Sequence, residues 1–393
     1  MDDAWFRRRY PLDVKRVEWA NALRGVAAVT VLGYHYAVAF WIHQDVSAGL
    51  ARRPPLYAGA ENAPRWARFL EWLPVNFAAL GVGLFFLLSG YVIAISLDRY
   101  SRRGFLLGRA MRVLPTYAAG YLVTCATIAF VSDPNQELSL GSILTGAVPG
   151  LSLVLGSLAP GDGIVWTLII ELVFYAVCVV AYRKLTTRWW AIAGTAVVCA
   201  ATQWLLDPLP LGTPFGGIRY IVLLACPYIP VMLVGVVLSA YRRGNLERAA
   251  MAALIPFLMA LYFFLSSTSP VAPTTLEYRL TFVGTIVLFV VIWSFGEGWK
   301  RNSAADFFAN ISYPLYVVHP VLGYALLSVM AAHGVWAPLA VLTATGIAVA
   351  CAWVVHRLVE VPTRRVGQRW ARSVGYESGA PIGRVTAPPT TVG

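Results

Sequence analysis

The sequence predicts an all-α integral membrane protein: a polytopic bundle of about ten transmembrane helices plus one re-entrant or interfacial segment (141–160), with both termini cytoplasmic. Three observations carry this. Hydrophobic residues make up 58% of 393 residues and charged residues 13%, with a mean hydropathy of +0.65, whereas soluble domains hold roughly twice that charge. The chain returns repeatedly to apolar runs near the ~20 residues that cross a bilayer as a helix. Its basic residues also alternate along the chain. Of 31 Lys and Arg, 23 lie in segments 1–19, 98–112, 183–188, 241–249, 297–306 and 357–372, and the intervening loops and their borders hold Arg52, Arg53, Arg65, Arg68, Arg219 and Arg279. This is the positive-inside asymmetry of a multi-pass protein in a plasma (inner) membrane. The net charge of +12 thus reports topology, and no nucleic-acid-binding motif accompanies it.

After a basic lead (1–19), the first span (20–42) holds Arg24 and His35. Eleven residues make three helical turns plus about 20°, so both side chains share one face, roughly 16 Å apart along the axis. Ionisable groups at membrane depth face protein or a cavity. A neutral imidazole there can take a proton from a hydroxyl and return it to a leaving group, which makes His35 the candidate catalytic base. The loop 44–75, with Tyr57, Trp66 and Trp72, is a lid, an acceptor platform or an interfacial aromatic anchor. The second span (76–97) interleaves Gly81, Gly83, Ser89 and Gly90 with Phe85 and Phe86, a pattern suited to close helix packing or to lining a narrow acyl channel.

Arg109 and Arg112 precede the third span (113–131) at a spacing of three, on one helix face. Guanidinium forks fit phosphate oxygens, and Arg24 can join them; the rival account is the positive-inside rule again. The segment 141–160 is rich in Gly, Ser and Pro, and counting it as a span would put the Arg183–Arg188 loop on the wrong side. In the span 164–182, Glu171 lies five residues after Trp166. A carboxylate at that depth must meet a cation, His35 or an acceptor hydroxyl. It can orient the imidazole as a triad carboxylate does, or form a structural salt bridge.

Spans follow at 189–206, 219–240, 250–266 and 279–296. The span 307–330 sets Tyr313, Tyr316 and His319 at i, i+3 and i+6, with Pro314 and Pro320 suggesting a kink; His319 binds substrate or makes a structural hydrogen bond. The last span (338–356) runs into HRLVEVPTRR, where Glu360 is expected to pair with neighbouring arginines and close the helix. The membrane domain is placed at 20–365, and 366–393 is expected to be a cytoplasmic, largely disordered tail. Five cysteines fall within apolar spans without ligand spacing and are expected to be core residues, with no metal site. The sequence contains no Walker loop, GxSxG elbow, HExxH or dinucleotide fingerprint.

Six segments taken together resemble the membrane acyltransferase-3 family. Arg24 and His35 match its Arg-x10-His. FFLLSGYVIA is similar to its FFxLSGF, with Tyr91 where phenylalanine is common. GRAMRVLPTY resembles RxxRixP, matching Arg109, Arg112 and Pro115. WTLIIELVFY resembles WSLxxExxFY, matching Trp166, Glu171 and Tyr175, with Thr167 in place of serine. ISYPLYVVHP and LVEVP resemble the last two family segments, so the likeness covers about residues 18–365. It implies an acyl-CoA-dependent O-acyltransferase, with acyl-CoA (acetyl-CoA) as co-substrate and no permanently bound cofactor. Arg24, Arg109 and Arg112 would hold the donor's phosphates, and His35 and Glu171 would be catalytic. Trp166, Tyr316, His319 and Ser89 would contact substrate. The acceptor would be a hydroxyl of a saccharide, a lipid-linked glycan or a glycosylated small molecule. The alternative is a carrier that exports a polar metabolite or saccharide past the same buried charges without acyl transfer.

Overall fold

The computed structural model describes residues 18–131, 139–155, 161–208, 216–272, 275–296 and 299–375, and among them every extended element is helical. Eight of these helices are long and apolar enough to cross a membrane, nine if one bent pair counts as a single span, and Val165–Ala181 is a shorter apolar helix of 17 residues. Exposed side chains such as Phe130, Val180 and Phe295 make the outer surface apolar, as a lipid-facing surface must be.

The first helix, α1 (Glu18–Ile42), turns Trp19, Leu23, Ala27 and Val31 inward along one stripe, the i, i+4 spacing of a buried face. It contains a π-helical turn at His35–Ala39. Short helices α2 (Gln44–Ala51) and α3 (Arg65–Trp72) form the following loop. Next come α4 (Phe77–Arg99) and α5 (Arg102–Val131). The segment 141–160 forms two short helices, α6 (Leu140–Gly146) and α7 (Leu151–Leu155), neither long enough to cross; residues 156–160 lie outside those described. Then follow α8 (Val165–Ala181), α9 (Lys184–Thr187) and α10 (Trp189–Leu206).

The stretch expected as one span at 219–240 is instead α11 (Gly216–Ala225) and α12 (Ile229–Arg242), bent by 46°. Pro227 explains the break, because it lacks an N–H and clashes with the carbonyl four residues earlier, and Pro230 fits the first turn of α12, where no N–H is needed. Arg219 donates to the Leu206 and Asp207 carbonyls at 2.7 and 2.6 Å, satisfying acceptors that the end of α10 leaves open. The bundle closes with α13 (Arg248–Thr268), α14 (Leu276–Phe295), α15 (Ser303–Ala332), α16 (Ala337–Val355) and α17 (Val361–Gly375). Helix α15 runs as one helix through Pro314 and Pro320. Glu360 lies within electrostatic range of Arg364 but does not close the last helix: it binds His356 Nδ1 at 2.6 Å within a π-helical turn, and the chain continues as α17. Helix therefore extends ten residues past the expected boundary at 365, on an amphipathic pattern that buries Gly367 and Ala371 and exposes Arg365, Arg369 and Arg372. The lead up to residue 17 and the tail from residue 376 lie outside the described residues.

Helices α1, α4, α5, α12 and α15 are the inner ones: α12 is buried from Ile229 to Ala240, and 67% of the apolar stretch of α4 is buried, against 28% for α10, α13 and α14. Small residues let the inner backbones meet. A Cβ added at Gly25 would approach the Ala305 carbonyl at 2.7 Å, and one at Gly235 the Tyr91 nitrogen at 2.7 Å, while Gly90 opposes the Met232 backbone. Replacing Gly90 with alanine is therefore expected to cost about 1–3 kcal/mol by overpacking. A fall in thermal midpoint in detergent would show it, and Gly194→Ala, which meets open space, is the control expected to leave the midpoint in place.

Candidate functional site

Between the helices lies a cavity of about 90 Å³, to which α1, α4, α5, α8 and α15 all contribute. Its polar end is built by three arginines: Arg24 from α1, and Arg109 and Arg112 from adjacent turns of α5. Arg109 is buried, donates to Ser96 Oγ at 3.0 Å, and lies over the rings of Phe105 and Tyr175 at 5.7 and 5.5 Å. Weakly hydrated guanidinium tolerates such aromatic surroundings. The walls are apolar, formed by Val82, Phe85, Leu88, Val92 and Leu168.

The carboxylate on the cavity wall is Glu171, which accepts from Ser89 Oγ at 3.0 Å and from the Tyr175 hydroxyl at 2.6 Å through the same oxygen. Three cations therefore face Glu171 on the cavity wall, with the buried Glu360 also within electrostatic range of Arg24, and the positive excess favours an anionic ligand. At the far end, Tyr316 lies against Phe85 (5.8 Å between rings), and its hydroxyl bonds Thr167 Oγ1 at 2.9 Å.

Behind Tyr316 lie two imidazoles. The His319 ring is 5.7 Å from that of Tyr316 and 4.8 Å, edge to face, from that of His35. His319 is 1% exposed, and its Nδ1 lies 3.1 and 2.9 Å from the Leu315 and Tyr316 carbonyls. The local sequence explains this anchoring: Pro320 has no N–H to offer the Tyr316 carbonyl four residues earlier, and the His319 ring takes its place. Because a carbonyl only accepts, His319 carries its proton on Nδ1 and a lone pair on Nε2. That Nε2 is buried and has no partner among the described residues. His35 Nδ1 lies 2.6 Å from the Tyr324 hydroxyl, and the π-helical turn begins at His35 itself, a distortion frequent at functional sites.

On the far side of His35 from the arginines, Tyr34 packs edge to face on the His35 ring at 6.1 Å and donates to Glu71 at 3.4 Å. His43 also lies 3.4 Å from Glu71, and its hydrogen bond holds the Glu71 carboxyl below its ordinary range. Asp162 ties the start of α8 to α5, accepting from the Val165 N–H at 2.9 Å and the Tyr117 hydroxyl at 2.9 Å; burial pushes its carboxyl up.

Of the residues singled out from sequence, Arg24, Arg109, Arg112, Glu171, Ser89 and Tyr316 all line the cavity. His35 and His319 stand just behind its inner end. Trp166 instead packs its ring on Tyr228 at 5.7 Å. Glu171 engages Ser89 and Tyr175, while the hydrogen-bond partner of His35 is Tyr324. Sequence reasoning misses Tyr324, although it stands eleven residues after Tyr313, the same-face spacing that links Arg24 to His35. The five cysteines are free thiols, four of them buried, and the described residues contain no cluster of metal-ligating side chains.

A family model described as an acyltransferase domain (Acyl_transf_3) matches residues 17–357. The acyltransferase MdmB of Streptomyces mycarofaciens is 28% identical over 214 residues, which cover 51% of this chain and 49% of that protein. The exopolysaccharide production protein ExoZ of Rhizobium meliloti is 36% identical over 105 residues, 25% of this chain and 32% of that one. The matched stretches span about half the length of the first relative and a third of the second. No solved structure matches the chain. The family match runs from the start of α1 to the π-helical turn after α16, and so takes in every helix that lines the cavity: the chain belongs to the acyltransferase-3 family.

Proposed function

We propose that this protein is an integral membrane O-acyltransferase. It moves a short acyl group, acetyl or similar, from acyl-CoA to a hydroxyl of a saccharide, lipid-linked glycan or glycosylated small molecule. The observation that carries this reading is one cavity with three arginines at one end, apolar walls, and a pair of imidazoles behind the other end. The basic loops favour a cytoplasmic position for the arginine end and for both termini, in a plasma membrane. The names of the relatives, one an acyltransferase and one an exopolysaccharide production protein, support acyl transfer and a saccharide-type acceptor.

In this reading Arg24, Arg109 and Arg112 bind the donor's phosphates, and the apolar walls take its thioester arm. His35 is the general base. With Nδ1–H donating to the Tyr324 oxygen, its lone pair lies on Nε2. The acceptor hydroxyl gives its proton to that nitrogen as its oxygen bonds to the thioester carbonyl carbon. The tetrahedral intermediate then breaks the carbon–sulfur bond, and the imidazolium returns the proton to the departing thiolate. His319 Nε2 accepts a hydrogen bond from the acceptor and so orients it. The Tyr316 hydroxyl, which donates to Thr167 Oγ1 because the Thr167 proton goes to the Ile164 carbonyl, would serve the oxyanion by turning from Thr167 to the substrate. Glu171 fixes Ser89 and Tyr175 and offsets part of the arginine charge.

Purified protein, given acetyl-CoA and a cell-envelope saccharide fraction, is expected to release free thiol in proportion to acceptor. Uptake of saccharide into proteoliposomes with no thiol release at any acyl chain length would replace the enzyme with a carrier.

A further inference from the structure

We propose that Arg102, the first residue of α5, extends the donor site beyond the cavity and binds the 3′-phosphate of coenzyme A. This rests on the acyl-CoA reading above and adds a residue that does not line the cavity.

The guanidinium-on-ring contact that anchors Arg109 occurs twice between α5 and α8. Arg109 lies over the Tyr175 ring at 5.5 Å, and Arg102 lies over the Tyr182 ring at 5.2 Å. Arg102 precedes Arg109 by seven residues, and Tyr182 follows Tyr175 by seven. Seven residues make two helical turns less about 20°, a rise of roughly 10 Å. The second pair therefore repeats the first, two turns nearer the loops, where the two chain segments run in opposite directions. Phe105 stands between the arginines on α5 and packs on Tyr175 with 5.9 Å between rings. Arg102, Phe105, Arg109 and Arg112 fall within about 80° of one another around the helix, a stripe that leads from the end of α5 into the cavity. The other side of α5 is already covered by α17. A Cβ added at Gly104 would meet the Ala371 carbonyl at 2.7 Å, and one at Gly108 the Ala371 Cβ at 3.5 Å.

The positive-inside rule asks for basic residues at this end of the helix, but not for a guanidinium in register with those of the cavity. The Tyr182 ring is a fixed platform, because its hydroxyl donates to the Tyr100 carbonyl at 2.5 Å. Arg183 also lies over that ring, at 5.3 Å, and adds to the local positive charge. A guanidinium held against an aromatic ring still presents its N–H edges, which match phosphate oxygens.

Order along α5 selects which phosphate this is. Arg102 is exposed at the first position of the helix, Arg109 is buried two turns deeper, and Arg112 lies a further turn in. In coenzyme A the 3′-phosphate on the ribose lies farther from the thioester than the pyrophosphate does. With the thioester inward and the pyrophosphate on Arg24, Arg109 and Arg112, the 3′-phosphate falls to Arg102.

The test measures binding of acetyl-CoA and of 3′-dephospho-acetyl-CoA to the full chain in detergent, for wild type, Arg102→Gln, Arg102→Lys and Arg103→Gln. Wild type and Arg103→Gln, a change at the exposed neighbour off the stripe, are expected to prefer acetyl-CoA by about tenfold or more. Arg102→Gln should bind the two donors alike, with the dephospho analogue bound as in wild type, which also shows that the variant is folded. Arg102→Lys, which keeps the charge, should retain part of the preference. A preserved preference in Arg102→Gln, equal weakening of both donors by Arg102→Gln and Arg102→Lys, or a wild type that binds both donors alike overturns the assignment and leaves the enzyme reading intact. Failure of wild type to bind either donor overturns the acyl-CoA reading, and this inference with it.

Discussion

Replacing His35 with alanine is expected to lower acceptor-dependent thiol release by about 10²–10⁴-fold, the range a positioned general base supplies, while acetyl-CoA affinity stays as in wild type. The separation of the two effects follows from the layout. His35 stands behind the inner end of the cavity, against His319 and Tyr324, and Arg24 lies about three helical turns away along α1. Tyr324→Phe removes the hydroxyl 2.6 Å from His35 Nδ1 but leaves the ring in place. It is expected to reduce kcat by up to about 10²-fold through loss of orientation, with the donor KM unchanged. A structural role for the pair predicts something else: kcat, donor affinity and thermal midpoint falling together. Equal release by wild type and His35→Ala would remove His35 from the chemistry. His319→Gln then becomes the next variant to measure, because its unpartnered Nε2 is the other lone pair at that place.

Helical periodicity makes part of this site legible in the sequence. Spacing, together with the cost of a lone charge in hydrocarbon, groups Arg24 with Arg109 and Arg112, and the three do share one cavity end. Periodicity reports which face a side chain occupies, but not which helix covers that face. For that reason the sequence leaves Glu171 to a cation, His35 or a hydroxyl, where its hydrogen-bond partners are the hydroxyls of Ser89 and Tyr175, and it does not foresee the packing of Trp166 on Tyr228. The fold shows the same division. Apolar runs locate the spans, whereas the break at Cys226–Tyr228 and the docking of α17 depend on contacts between helices. Gly104 and Gly108 of α5 meet Gly367 and Ala371 of α17; these four small residues are split between segments more than 250 positions apart, and neither half is conspicuous alone. The π-helical turn at His35 inserts one extra residue into a turn, a choice made by packing that no local pattern announces.

Arg112→Gln is expected to raise the acyl-CoA KM by about 10–150-fold, the equivalent of losing one charge-assisted hydrogen bond of about 1.5–3 kcal/mol, with kcat at saturating donor nearly unchanged. A phosphate contact remote from the reacting carbon is made equally in the ground and transition states, so its loss appears in KM. Arg112 suits this test better than Arg109, because Arg112 is half-buried whereas Arg109 is buried against Ser96, Phe105 and Tyr175. Removing Arg109 would disturb the packing of α5 on α8 as well as the charge. Arg112→Lys separates charge from geometry: the ammonium keeps the attraction but loses the planar fork, so its KM should fall between wild type and Arg112→Gln. Added salt should weaken donor binding more in wild type than in Arg112→Gln, since screening acts on the charge the variant has lost. A lowered kcat at unchanged KM would place Arg112 on the transition state instead. In that event the donor's phosphates would have to be held by Arg24 and Arg109 alone, and the thioester would sit closer to the arginine end than to His35.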